Sequence, residues 1–274
     1  MQEIINIRAS SMADLFDCPH RWEAINIKHM YLPKNEKAHL GTSFHAGTAV
    51  YDSSTMEING ANEEHNPTIS IDDAKGVIVD TIYHPKEEIV WEELNQKDAE
   101  KILLPLFEKY ASQITPTMNF AGIEVTAENI TITNLALSIS GTLDRLYFDE
   151  FGQLGIADIK TGSTAVKADG EVNTAKHVAQ VGIYEILATH AVKAEVNAPA
   201  LIIGANTGKT EKAQRVGKGQ IHNAKELILG NEFQDGILAY ASKMLHSGMF
   251  YGNPKSQICG EKYCPIYNNC FFRK

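Results

Sequence analysis

Nowhere in its 274 residues does the chain hold a run of about 18 apolar residues, the minimum that a bilayer-crossing helix needs. No transmembrane helix and no membrane partner are expected. Nor does Met1 to Arg8 show the charged-then-apolar pattern of a secretory signal, so a cytoplasmic protein is expected. Positive charge is in short supply: 25 Lys and Arg against 34 Asp and Glu leave a net charge of −9. That argues against attraction to nucleic acid by overall charge, while leaving room for a local basic groove. Cysteine is scarce and unevenly placed. Cys18 stands near the start, Cys259, Cys264 and Cys270 stand near the end, and none lies between. In a cytosolic chain such spacing points to metal or cluster ligation before disulfides. Internal repeats and low-complexity tracts are missing.

What is present supports a folded, globular chain. The hydrophobic share of 43% allows a real core, and the length suits one large domain or two small ones. Ser10 or Ser11 can cap a helix that starts at Met12. Pro19 then forces a bend, and Trp22, Ile25 and Ile27 read as core. Helical periodicity continues over 39–51, 72–83 (capped by Ser70 or Asp72) and 97–114. Residues 53–67 read as a polar loop. The character then changes: 123–133, 135–148 and 153–159 alternate as a three-stranded antiparallel meander. A helix is expected over 174–191. A short apolar strand at 200–204 has the composition of one buried inside a sheet. Residues 207–220 read as a polar, basic loop, and 232–246 as the last helix. The order gives an α/β or α+β fold with a mixed sheet. The expected layout is one domain over 1–274: a helical portion at 1–117, a catalytic sheet core with its helix at 118–205, and a C-terminal helix with a Cys-rich tail at 206–274.

The chemistry centres on Gly141-Thr142-Leu143-Asp144 and Asp158-Ile159-Lys160. Folding the hairpin about Phe151 sets Asp144 opposite Asp158. Two facing carboxylates repel unless a cation sits between them. A hard cation such as Mg²⁺ or Mn²⁺ takes oxygen ligands and keeps waters, one of which can be the nucleophile. Lys160 shares the Asp158 face, where an ammonium can orient that water or offset charge on phosphorus. His45 lies in Leu40-Gly41-Thr42-Ser43-Phe44-His45-Ala46-Gly47, among small residues that allow close approach. Gln180 and Tyr184 are one helical turn apart and both can donate to phosphate oxygens. Soft thiolates select zinc or an iron–sulfur cluster, and with three cysteines in the tail Cys18 is the natural fourth ligand. Residues 201–210 imitate a phosphate-binding loop, but only three residues separate Gly204 from Gly208 where that motif needs four.

Taken together these residues resemble the PD-(D/E)xK nuclease superfamily, in the branch of RecB-like exonucleases that includes CRISPR-associated RecB-like nucleases and the AddB nuclease domain. The family pattern of a helical histidine, Gly-x-x-Asp, Asp/Glu-x-Lys and Gln-x-x-x-Tyr is carried by His45, Asp144, Asp158 to Lys160, and Gln180 to Tyr184. Its iron–sulfur members place one cysteine before the histidine and three at the C-terminus. The resemblance implies a restriction-endonuclease-like sheet flanked by helices. It also implies Mg²⁺ or Mn²⁺ held by His45, Asp144, Asp158 and the Ile159 carbonyl. Lys160 would activate water, while Gln180 and Tyr184 would hold their helix and contact DNA. A structural [4Fe–4S] cluster would sit on Cys18, Cys259, Cys264 and Cys270, with zinc as the alternative. The implied activity is phosphodiester hydrolysis of single-stranded DNA or duplex ends, leaving a 5′-phosphate. The basic loop 209–218 would be a backbone contact. Such an exonuclease would serve DNA recombination, repair, phage replication or CRISPR adaptation, beside a separate helicase or other partner. The competing reading is a non-catalytic DNA-binding or assembly subunit that kept the fold, with zinc at the cysteines.

Overall fold

This computed structural model describes residues 3–56 and 69–273. The polar loop expected over 53–67 falls largely outside them. Strand β1 (Ile5–Arg8) runs through a 3₁₀ turn into α1 (Met12–Asp17) and α2 (Pro19–Asn26). Then come β2 (Lys34–Asn35), α3 (Glu36–Ser53), α4 (Ile71–Tyr83), β3 (Ile89–Val90) and α5 (Gln96–Gln113). The expected meander is β4 (Asn119–Ile132), β5 (Leu137–Phe148) and β6 (Leu154–Thr161). After it, α6 (Val178–Val192) leads to β7 (Ala200–Ala205), β8 (Val216–Ile221), α7 (Ala224–Leu229), α8 (Ile237–Ser247) and the tail.

The central sheet is mixed and flanked by helices. Its β7 reads Ala-Leu-Ile-Ile-Gly-Ala and is buried throughout, because both of its faces are covered. On one face Leu143, Ile156 and Ile202 pack with Leu15, Leu187 and Leu238 from the helices. On the other, Ala157, Ile159 and Ile203 meet Phe44, Phe107 and Tyr110 of α3 and α5.

Strand β5 decides where the site forms. One of its edges pairs with β4 along most of its length. Its other edge is shared. Leu137–Ser140 pair in parallel with β1, and Arg145–Phe148 pair antiparallel with β6. Gly141 to Asp144 have neither neighbour on that edge. Side-chain alternation changes phase between Leu143 and Leu146, which lie in the same cluster, with Tyr147 in the other. In a regular strand residues 143 and 146 would face opposite sides.

Several sequence expectations need correction. Neither Ser10 nor Ser11 caps α1 by its side chain. Ser11 instead lies in the 3₁₀ turn, donating to the Arg8 carbonyl and accepting from the Trp22 indole. Ile27 is exposed rather than core. The N-terminal portion is not only helical, since β1 joins the sheet. The basic loop ends in β8, whose glycines hid its strand character. A side chain at Gly219 would meet the Thr174 Cγ2 at 2.5 Å, so the strand there must stay bare. The helix expected from 174 starts at Val178 after a 3₁₀ turn, and the one expected from 232 starts at Ile237; α7 was not foreseen.

Candidate active site

Where β6 peels away from β5, the ladder stops at Arg145 and Ala157, one residue short of the two aspartates. The Asp144 side chain takes over from the backbone: its Oδ2 accepts the Ile159 N–H at 2.7 Å. His45, from the middle of α3, points its Nδ1 at the same oxygen from 3.7 Å, and the Ile159 carbonyl lies beside its ring. Burial lowers the His45 pKa, Asp144 only partly opposing it, so the imidazole is held neutral. A neutral imidazole is the form that binds metals.

Asp158 is 2% exposed. Its Oδ1 accepts a hydrogen bond from Gln180 Nε2 at 3.3 Å. Its Oδ2 lies 2.8 Å from the Lys160 ammonium but has no aligned donor, leaving a lone pair open in a dry place. Burial pushes the Asp158 carboxyl up to about 7; Asp144 adds to the rise and Lys160 opposes it. Gln180 also donates to the Tyr184 hydroxyl at 3.0 Å. Both side chains are buried, and the amide of Gln180 is committed to Asp158 and Tyr184. One turn earlier, burial and the Lys160 charge hold His177 down to about 3. Lys160, the two aspartates, His45 and Gln180 are thus gathered at one fork in the sheet.

Sequence reasoning missed Glu124. On β4, its carboxylate joins His45 and Asp144 in a group whose ligand atoms all lie within 4.8 Å of one another. Its backbone has φ 49, an uncommon left-handed conformation for a non-glycine residue, and one found preferentially at functional sites. Burial and the Asp144 charge raise its pKa.

Beneath this group lies an ion pair with no exposure at either side chain: Arg145 Nε to Asp52 Oδ2 at 2.8 Å. Asp52 also accepts from Tyr110 at 2.5 Å and Thr115 at 2.9 Å. The guanidinium reaches Thr48 at 3.1 Å, the Asp144 carbonyl at 2.7 Å and Glu124 at 3.4 Å. Arg145, itself on β5, therefore ties α3, which carries His45, to β5 and to β4, the strand that carries Glu124.

All four cysteines line one small cavity. Cys18 sits between α1 and α2, and its Sγ accepts the Asn253 N–H at 3.4 Å. Burial raises the Cys264 pKa, and the nearby Cys18 and Cys270 add to the rise. The tail is also pinned to α3. Lys262, between Cys259 and Cys264, reaches Glu92 at 3.0 Å, Glu93 at 3.3 Å and the fully buried Glu36 at 3.9 Å. In the basic loop, Arg215 and Lys218 are spent on carbonyls of the chain itself, while Lys209 and Lys212 are at least partly exposed. Among the described residues no helix is long and apolar enough to cross a membrane.

A family model described as PD-(D/E)XK nuclease superfamily matches residues 7–271. No curated protein matches. A solved structure described as "Crystal structure of SSO0001" aligns over 100% of this chain and 89% of its own, at 14% identity and a TM-score of 0.43.

Proposed function

Because this chain belongs to the PD-(D/E)XK nuclease superfamily, we propose that it is a Mg²⁺- or Mn²⁺-dependent deoxyribonuclease, an exonuclease of the RecB-like branch. The observation that carries this reading is the convergence of His45, Asp144 and the Ile159 carbonyl beside Asp158 and Lys160.

The donor set fits a hard divalent cation: two carboxylates, a carbonyl and a neutral imidazole, with the Asp158 Oδ2 lacking any aligned donor of its own. A bound Mg²⁺ or Mn²⁺ would polarise the phosphate and acidify a water. Lys160 holds its ammonium on the Asp158 face, where it orients the attacking water and meets charge developing on phosphate oxygens. Gln180 fixes the Asp158 carboxylate, and Tyr184 fixes Gln180. The new bond joins the water oxygen to phosphorus; the bond that breaks is to the 3′-oxygen, which leaves with a proton, and the 5′-phosphate remains.

For the cysteines we propose a structural [4Fe–4S] cluster. What supports a single shared group is the gathering of Cys18 with Cys259, Cys264 and Cys270 around one cavity, a soft thiolate set that suits an iron–sulfur cluster, with zinc as the alternative. Visible thiolate-to-iron absorbance in anaerobically purified protein is expected; a colourless protein with stoichiometric zinc would refute the cluster. The proposed setting is cytoplasmic DNA recombination, repair, phage replication or CRISPR adaptation, alongside a separate helicase or other partner.

The direct test is digestion of end-labelled single- and double-stranded DNA with each cation. Asp158→Ala and Lys160→Ala are expected to abolish degradation while staying folded. Undiminished cleavage by both purified variants would sink the assignment.

A further inference from the structure

Half of the central sheet presents two chemically opposite faces. In β1, the first part of β5 and the second part of β4, one face is apolar and packed: Ile7, Leu137, Ile139 and Ala127 belong to the core. The strand registers Asn6 to Ser138, Arg8 to Ser140, Thr126 to Thr142 and Thr131 to Ser138 put these polar side chains together on the other face. Asn6, Arg8, Thr126, Thr131 and Thr142 are exposed there. Asn6 bridges two neighbours, donating to Ser140 Oγ and accepting from Ser138 Oγ, both at 3.0 Å. Among the described residues the Arg8 guanidinium makes no ion pair or hydrogen bond.

Two features separate this shelf from an ordinary solvated sheet face. First, it runs into the site. By strand parity the column Ser138, Ser140, Thr142 ends on Asp144, and Thr126, opposite Thr142, lies two residues from Glu124. Second, it is almost free of charge. Arg8 is its one cation, and Glu128, the one acid in these segments, sits in a β-bulge between Ala127 and Ile130.

We propose that this shelf holds the single DNA strand flanking the scissile phosphate, gripping its sugar–phosphate backbone. The inference rests on the nuclease reading above. Hydroxyls, an amide and an arginine are the groups that contact phosphate and sugar. The shelf carries no aromatic ring on which a base could stack, so its contacts go to the backbone, which carries no sequence information. From β1 to β4 is two strand spacings, about 10 Å, the width of one backbone. From Ser138 to Asp144 is about 20 Å of strand, which spans about six phosphates of a stacked strand.

Arg8→Glu and Thr131→Glu place negative charge at opposite edges of the shelf, away from the metal-binding carboxylates. Rates are measured with Mn²⁺ on a single strand of about 20 nucleotides, several times the shelf length, on a duplex of equal length, and on bis(p-nitrophenyl) phosphate, a diester too small to reach the shelf. Each variant is expected to raise KM for the single strand about tenfold, with kcat and small-diester hydrolysis held and Arg8→Lys close to wild type. An unchanged single-strand KM in both variants overturns the shelf, while wild-type cleavage keeps the nuclease reading standing. A KM increase confined to the duplex overturns the single-strand assignment. A wild type that cleaves nothing overturns the nuclease reading; single-strand binding by fluorescence anisotropy in Ca²⁺ then decides the shelf, sustained by weakened binding in the variants and sunk by wild-type binding.

Discussion

Asp144 and Ile159 are joined by a side-chain-to-backbone hydrogen bond of 2.7 Å at the point where the ladder between their strands has just ended. One carboxylate thus closes the sheet and faces the site. Asp144→Asn keeps an acceptor for that N–H, whereas Asp144→Ala leaves it unpaired. Both are expected to lose activity by about 100-fold or more, beyond the effect of losing an outer contact. Only the alanine variant should lose stability, by about 1–3 kcal/mol. Nuclease assays with chemical denaturation of both proteins check this.

Asp158 gives the metal-free protein a pH signature. Its folded pKa near 7 lies above the unfolded value of about 4, so folded chains bind more protons between those limits. The penalty for this buried carboxylate is absent below about pH 4, grows through the interval, and is complete above about pH 7. Asp158→Asn should therefore stabilise the apoprotein at pH 8 more than at pH 5. Denaturant melts at the two pH values measure the difference. Because a cation must displace that proton, apparent Mg²⁺ affinity should weaken as pH falls below 7.

The Asp52–Arg145 pair predicts a stability defect far from any substrate. Asp52→Ala strands a buried guanidinium and should cost about 3–5 kcal/mol. Replacing both partners by apolar residues should recover part of the loss, which thermal melts of the single and double variants would register.

Glu124→Gln should weaken divalent-cation affinity by about tenfold while leaving the melting temperature within a degree or two. Cation titrations of activity, compared with calorimetric binding, would show it. An unchanged cation dependence would exclude Glu124 from the metal site.

Much of the frame was legible. Strong periodicity located α3, α4, α5 and the meander within a few residues, and hairpin arithmetic about Phe151 brought Asp144 to Asp158. What escaped was set by distant packing. The β1 strand is four residues long and gains its identity only from β5, more than 120 positions away. The glycines of β8 look like a loop until Thr174 is laid over them. Glu124 reads as an ordinary outward position on an alternating strand; its role depends on a left-handed backbone and a cross-strand neighbour. Asp52 sits near a helix end, where polarity normally means solvent, and nothing local announces that Arg145 will bury it.

The divided edge of β5 has an evolutionary corollary. An inserted or deleted residue between Ser140 and Arg145 would leave the ladders to β1 and β6 intact, since neither uses that window. Against β4 it could be absorbed as another bulge beside the two irregularities already there. Yet a residue inserted between Asp144 and Arg145 would rotate Asp144 to the other side of the strand relative to β6. Such an insertion would thus silence the enzyme while sparing its fold, so a folded but inactive descendant lies a single codon away.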